Sequence, residues 1–253
     1  MRKVVAGNWK MHHGPREARE FFEAFDPPSG ADARLVIFPP TISLPEAVRA
    51  VSGRSGVALG IQNIHAETAG AFTGETSAEM AVEAGAELAL VGHSERRHLF
   101  GETVEQTRDK VEAAYRAGLE PVLCLGETLE ERKAGRLADI VLGQLDTVMA
   151  SPSVRATVRD GTPFLVAYEP VWAIGTGETA TPQDATEAHG ILRDRLRDHL
   201  GEDRAREIPI LYGGSVKPEN AADLLAAEDV DGVLVGGASL KSDSFARIAA
   251  AAG

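Results

Sequence analysis

Glu169 stands where an apolar run, Phe164-Leu165-Val166-Ala167-Tyr168, gives way to Pro170-Val171-Trp172-Ala173-Ile174-Gly175-Thr176-Gly177. A carboxylate at that junction is placed to act as a general base. Proline restricts the backbone at one end of the following segment and glycines free it at the other, so the residues between can move as one body, a lid. Trp172 and Ile174 can keep water from Glu169 and raise its pKa toward that of a useful base. The plainer alternative is a surface carboxylate in an ordinary turn.

Other reactive side chains follow apolar runs in the same way. His93 comes after Leu90-Val91-Gly92 and before Ser94-Glu95-Arg96-Arg97, which reads as a first helical turn. A helix N-terminus aimed at the ring lowers its pKa, and the neutral imidazole can donate to a carbonyl oxygen and shuttle protons. Lys10 can hold an anion and stabilise negative charge developing on oxygen, and Asn8 can orient either partner. Glu95 can pair with Lys10, although a carboxylate at a helix start facing water is the common alternative, as an exposed ammonium is for lysine. Gly213-Gly214-Ser215 and Gly236-Gly237 each precede a helical pattern, where backbone N–H groups can approach an anion or simply make tight turns. Cys124, inside Val122-Leu123-Cys124-Leu125, reads as buried packing.

These groups need a scaffold, and the chain supplies a repetitive one. Short apolar runs occur at Val4–Ala6, Arg34–Phe38, Val57–Ile61, Leu88–Val91, Pro121–Leu125, Phe164–Tyr168, Ile208–Leu211 and Gly232–Val235. They start about 23 to 44 residues apart, room for a strand and a crossover helix, and are nearly continuous, as in parallel strands covered on both faces. Helical patterns lie between: Glu102–Ala117 ending at Gly118, a segment capped by Thr181 with Pro182 next and stopping at Gly201, one opening at Val216-Lys217-Pro218-Glu219, and a last one from about Ser242. Eight such units without a linker or change of composition predict an α/β fold over residues 1–253, a single (β/α)8 barrel domain. An open doubly wound sheet is the alternative, but no GxGxxG follows the first strand. In a barrel, groups at the strands' C-terminal ends converge on one rim, and every reactive residue above has that placement.

The bulk properties narrow the function. The 253 residues are 43% hydrophobic and carry a formal net charge of -12. No basic run suggests nucleic acid or a membrane surface, and no apolar run approaches a membrane span. One cysteine excludes a disulfide framework and points to the cytoplasm. No zinc-finger or HExxH spacing occurs, so no metal is expected. An anionic substrate would meet an opposing global field, so the site must supply positive potential locally. Together the parts suit proton removal beside a carbonyl, an enediolate held by His93, Lys10 and Asn8, and a phosphate at the last two loops, with no cofactor.

Seven motifs carry a family resemblance: Ala6-Gly7-Asn8-Trp9-Lys10-Met11, Gly70-Ala71-Phe72-Thr73-Gly74-Glu75, Val91-Gly92-His93-Ser94-Glu95-Arg96-Arg97, Cys124-Leu125-Gly126-Glu127, Tyr168 through Gly177, Tyr212-Gly213-Gly214-Ser215-Val216 and Val235-Gly236-Gly237-Ala238-Ser239-Leu240. In this order, over nearly the whole chain, the sequence resembles the triosephosphate isomerases. The resemblance implies a TIM barrel that interconverts dihydroxyacetone phosphate and D-glyceraldehyde 3-phosphate, in glycolysis and gluconeogenesis. It implies Glu169 as base, His93 as electrophile, Lys10 and Asn8 as substrate-binding residues and Glu95 as an auxiliary acid. It further implies a phosphate grip by Gly175, Ser215, Gly236 and Gly237, an apolar clamp of Ile174 and Leu234, and a structural pair of Arg96 with Glu102. The lid is residues 170–177. A homodimer is implied, with a tetramer possible, in which Phe72 and Thr73 reach the partner subunit's site. One departure is Glu178, where the family commonly has lysine. A sugar-phosphate aldolase would need a lysine at a central strand end, and none is present. A non-catalytic barrel would not need Lys10, His93 and Glu169 together.

Overall fold

A computed structural model describes residues 2–28, 32–52, 56–174 and 180–253. Eight parallel strands close into a barrel in sequence order. They are β1 Val4–Asn8, β2 Arg34–Phe38, β3 Val57–Ile61, β4 Leu88–Val91, β5 Glu120–Leu125, β6 Leu165–Tyr168, β7 Ile210–Tyr212 and β8 Gly232–Val235. Closure comes from β8 pairing with β1, with Val4 opposite Gly232 and Gly7 opposite Val235. The strands follow the apolar runs to within two residues at every end, and helices or helical turns separate them.

Two-residue side-chain alternation divides each strand between two cores. Val4 and Ala6, Val36 and Phe38, Leu88 and Leu90, Val122 and Cys124, and Leu165 and Ala167 fill the barrel with Leu211 and Leu234. The intervening residues, Val5, Leu35, Ile37, Leu123 and Val166 among them, join the layer beneath the helices. Cys124 is therefore packing inside the barrel, and burial raises its thiol pKa far above the ordinary value. Leu234 belongs to this interior as well.

Two helix starts differ from the sequence expectation. The helix read from Glu102 is Val104–Ala117. Thr103 and Gln106 cap it reciprocally, each side chain accepting from the other's backbone N–H, at 2.9 and 3.2 Å. Glu102 is excluded because its carboxylate is buried beside Lys110 at 2.6 Å and Arg96 at 3.4 Å. The helix read from Val216 begins at Ala221. Asn220 folds back instead, its Oδ1 accepting from the Lys217 N–H at 2.8 Å and its Nδ2 donating to the Ser215 carbonyl at 3.0 Å, so residues 216–220 form a turn. The helices Pro182–Leu200, with Thr181 as cap, and Ser242–Ala250 lie where the sequence places them.

Helix Pro182–Leu200 carries a buried titratable group. His189 Nδ1 donates to the Asp229 carbonyl at 2.9 Å, while Nε2 has no hydrogen-bond partner among the described residues. Burial pushes its pKa down to about 4, with Arg193 and Lys3 pulling the same way and Asp229 opposing them. Between pH 4 and 6.5 the unfolded chain therefore binds a proton that the folded chain refuses. This group's contribution is present above pH 6.5 and lost as pH falls, by about 3 kcal/mol at pH 4. The expected result is that His189→Gln flattens this part of the stability–pH curve in urea titrations. A curve parallel to that of the parent would remove His189 as its cause.

Candidate active site

The C-terminal ends of β1, β4, β6, β7 and β8 bring the reactive residues to one rim. At β1, Trp9 is fully buried and its indole donates to the Ser239 carbonyl at 3.1 Å, which anchors the turn that follows. Lys10 has a φ of 52°, a left-handed conformation that is costly for a long side chain. Two polar side chains hold it there. Asn8 Oδ1 accepts from the Lys10 N–H at 3.0 Å, and Gln62 Nε2 donates to the Lys10 carbonyl at 2.8 Å and to that of Phe38 at 2.9 Å. The Lys10 ammonium is thereby delivered to Glu95, whose Oε1 lies 2.7 Å from Nζ.

His93 caps helix Ser94–Phe100 at the end of β4. Its Nδ1 accepts from the Glu95 N–H at 3.2 Å, which places the ring proton on Nε2. Nε2 lies 2.9 Å from Glu169 Oε1, and the Ser94 N–H donates to Glu169 Oε2 at 2.9 Å. Both oxygens of the β6 carboxylate are thus engaged. Arg97 ties this corner to β5 by donating to the carbonyls of Gly92, at 2.7 Å, and Cys124, at 3.0 Å.

The titration of this pair differs from the sequence expectation. Burial pushes the Glu169 pKa up, as a base needs, but the His93 ring, the Ser94 N–H and Lys10 together hold it below the ordinary carboxylate range. Burial likewise opposes charge on His93, yet the Glu169 carboxylate raises the ring's pKa above its usual value, with Lys10 pulling the other way. The physical reason is direct contact. The two groups solvate each other, and these contacts outweigh the effect of burial. The carboxylate is docked in this conformation, with both oxygens taken.

Trp172 has a partner elsewhere. Residues Val171–Ala173 form a helical turn beside Glu127, a fully buried carboxylate at the end of β5. Glu127 Oε1 accepts from the Trp172 indole at 2.8 Å and the Tyr168 hydroxyl at 3.0 Å, and the Val171 N–H donates to its carbonyl at 3.1 Å. Pro170 through Ile174 are described, whereas Gly175, Thr176, Gly177 and Glu178 lie outside the described residues. Ala173 and Ile174 line a cavity of about 680 Å³ with Asn8, Lys10, Ser215, Gly236 and Gly237. A cavity of this size suits a small ligand. Glu169 and His93, 2% and 6% exposed, lie beneath it rather than on its wall.

Opposite Lys10 the cavity is walled by backbone. The N–H groups of Ser215, Gly236 and Gly237 donate to no acceptor among the described residues. The Gly236 carbonyl is turned away, accepting from the Ser239 N–H at 2.9 Å and hydroxyl at 2.7 Å. Space around a Cβ at Gly237 is empty and at Gly236 only Lys10 Cε comes near, at 3.8 Å. An ammonium and several unused N–H donors around one void make an anion site.

A family model for triosephosphate isomerase matches residues 3–252 of this chain. The chain belongs to the triosephosphate isomerase family. It is similar to the triosephosphate isomerase of Halorhodospira halophila, with 48% identity over 98% of this chain and 96% of that protein. It is 46% identical to that of Acetivibrio thermocellus, over 98% of both chains. Among solved structures, the crystal structure of triosephosphate isomerase from Bartonella henselae superposes with a TM-score of 0.86 at 37% identity, covering 99% of each chain. The family fold is therefore the barrel that the apolar runs predicted, and the residues brought together at its rim are those the family motifs contain.

Sequence reasoning passed over several members of the site. Ser94 supplies a backbone donor to Glu169, a role with no side-chain signature. Gln62 braces Lys10 from β3's end, and only the positive φ of Lys10 reveals the need. Glu127 stood in a quoted motif without a role, although a carboxylate directly after an apolar strand was the same signal that singled out Glu169.

Proposed function

We infer that this chain interconverts dihydroxyacetone phosphate and D-glyceraldehyde 3-phosphate through an enediolate, as a single catalytic domain spanning residues 1–253. The observation that carries the reading is the contact of Glu169 Oε1 with His93 Nε2 at 2.9 Å, beneath a cavity that Lys10 lines. Ser215, Gly236 and Gly237, with Gly175 from the lid, take the phosphate by backbone donors. Lys10 and Asn8 take the carbonyl end.

The substrate changes the balance of the docked pair. Its carbonyl oxygen competes for the His93 Nε2 proton and the Lys10 ammonium. Glu169 then gives up these partners, keeps its burial and becomes more basic. It removes a proton from the carbon beside the carbonyl. The electron pair moves into a new carbon–carbon double bond and the carbonyl π pair moves onto oxygen, where Lys10 and the His93 Nε2–H hold the charge. With Nδ1 accepting from the helix N-terminus, His93 acts from the neutral ring and exchanges protons between the two enediolate oxygens. Glu169 returns its proton to the neighbouring carbon, which completes the isomer without net change in atoms or electrons. Pro170 through Gly177 shut water out during this sequence, with Ile174 over the base. Glu95 adjusts Lys10 through their ion pair. No metal or cofactor has a part in these steps.

The purified chain, dialysed against a chelator, is expected to convert D-glyceraldehyde 3-phosphate rapidly, with solvent deuterium entering dihydroxyacetone phosphate at the carbon Glu169 serves. A folded chain that leaves the substrate unchanged would overturn the reading.

The chain works in the cytoplasm as a homodimer. Among the described residues, no helix is long and apolar enough to cross a membrane. Support for a partner comes from apolar exposure: Met11 is 94%, Ile42 74%, Leu99 73% and Phe100 67% exposed. Phe72 and Thr73 line a cavity with Phe100, the Phe72 ring lying on His65 at 4.1 Å between centroids. Side chains of this size are poor surface in isolation and suit an isologous interface. Phe100→Asp is expected to shift sedimentation to the monomer and to reduce turnover. A variant that sediments like the parent would remove Phe100 from the interface. A tetramer in the parent would be read in the same experiment.

A further inference from the structure

We propose that Lys217, Lys241 and Arg247 form a cationic collar at the mouth of the cavity. The collar speeds the capture of dianionic phosphate esters from solution and so adds to the preference for them over uncharged trioses that the backbone donors establish. This inference rests on the functional reading above and adds residues that the chemistry itself does not use.

Lysine is scarce in this chain. The lysines of this chain are Lys3, Lys10, Lys110, Lys133, Lys217 and Lys241, and the formal net charge is -12. Lys10, Lys217 and Lys241 all line the one cavity, and Arg247 joins them. Glu219 is the only carboxylate on that wall among the described residues. The ion pairs elsewhere show the contrast. Lys110 is buried against Glu102, and Arg132 is held between Asp184 and Glu187, both at 2.7 Å. Lys217 and Lys241 are exposed and pair with no carboxylate among the described residues. Arg247 makes one loose contact, 3.3 Å to Glu219, with both side chains about two-thirds exposed. Such a pair is worth little and leaves the guanidinium free to turn.

The placement explains how an acidic protein can take up an anion. At neutral pH a phosphate ester carries close to two negative charges. The protein as a whole repels it, and the one ammonium inside the cavity is already paired with Glu95 at 2.7 Å. Two ammonium groups without a carboxylate partner among the described residues and a weakly held guanidinium set up a local field that offsets that repulsion at the mouth. It acts against Glu219 there and against Glu17, Glu20 and Asp243 in the neighbouring pocket that Lys241 and Arg247 also line. At low salt, where the screening length is about 30 Å, that field reaches well outside the cavity, and at physiological salt it shrinks to about 8 Å. Local potentials of this kind change association rates by about 10- to 1,000-fold. The backbone of the neighbouring turn fixes the collar in position. Asn220 braces Lys217 through its N–H, and Lys241 leads directly into helix Ser242–Ala250, which carries Arg247.

The test is steady-state kinetics on D-glyceraldehyde 3-phosphate from about 10 mM to 0.5 M ionic strength. It compares the parent, Lys217→Gln/Lys241→Gln, and the same double variant with Arg247→Gln. The collar requires kcat/KM to fall about tenfold or more in the triple variant at the lowest salt. It also requires kcat to hold, and the curves to converge as salt rises. Glu219→Gln must move the other way, raising kcat/KM at low salt, which loss of structure would not do. Unphosphorylated D-glyceraldehyde must be turned over equally by all of them. Parallel salt curves for parent and triple variant would overturn the collar while leaving the isomerase reading intact. Equal losses on both substrates would overturn it as well. A parent that isomerises neither substrate would instead overturn the functional reading.

Discussion

Glu169→Gln is expected to lower kcat by about 10³- to 10⁴-fold while leaving KM within a few-fold of the parent value. Glutamine matches glutamate in shape, and its carbonyl oxygen can still accept from the Ser94 N–H that now holds Glu169 Oε2 at 2.9 Å. The cavity wall of Asn8, Lys10, Ser215, Gly236 and Gly237 does not include this residue, so ground-state binding is preserved. What is lost is the acceptor for the proton on the carbon beside the carbonyl. The His93 pKa moves too. The Glu169 carboxylate raises it in the parent, and an uncharged amide leaves burial and Lys10, both of which favour the neutral ring. An NMR titration of His93 in the variant should therefore show a lower pKa than in the parent. A kcat within tenfold of the parent would take the role of base away from Glu169. A large fall in kcat with an unmoved His93 titration would break the link drawn here between contact and charge.

Gly126→Ala is expected to cost about 4 kcal/mol or more, a depression of about 10 °C or more in Tm. A Cβ at Gly126 would lie 1.8 Å from the Glu169 carbonyl oxygen and 2.7 Å from its carbon. Both atoms are backbone and cannot rotate away. The strands are also pinned at this level, because the Glu169 N–H donates to the Leu125 carbonyl at 2.7 Å. Relief requires the end of β6 to separate from β5, which would move the base off its axis even in molecules that stay folded. Gly213→Ala is the informative control. Its Cβ would meet Glu169 Cγ at 2.9 Å and the Tyr168 carbonyl oxygen at 3.1 Å, a milder clash than the one at Gly126. That variant should melt well above Gly126→Ala and still lose turnover. Equal melting temperatures for Gly126→Ala and the parent would show that the β5–β6 junction relaxes more freely than its contacts imply.

The sequence by itself determined the barrel. Its strand runs are continuous because each strand is buried on both faces, and their spacing leaves room for one helix each. Burial of that kind writes itself into local composition, so the ends of β2, β3, β4 and β8 fall where the apolar runs stop. The rim followed, since a residue's place after a strand is a matter of order along the chain. Lys10, His93, Glu169, Ser215, Gly236 and Gly237 were legible for that reason. The pairing of Lys10 with Glu95 and of Arg96 with Glu102 was also anticipated, and both contacts are present.

Only the tertiary structure decided what these groups do to one another. That Glu169 is docked between Ser94 and His93, and so held below the usual carboxylate range, depends on contacts across 75 residues of chain. The same holds for Trp172, whose indole donates to Glu127, and for Gln62, which braces Lys10 in its left-handed conformation. Helix starts at Glu102 and Val216 were misplaced because specific side-chain contacts, Glu102 with Lys110 and Asn220 with the Lys217 N–H and the Ser215 carbonyl, outweighed the helical pattern. Composition and periodicity report how much of a segment is buried. They do not report which polar atom meets which, because hydrogen bonds and charge pairs act through distances of about 3 Å that only the folded chain creates.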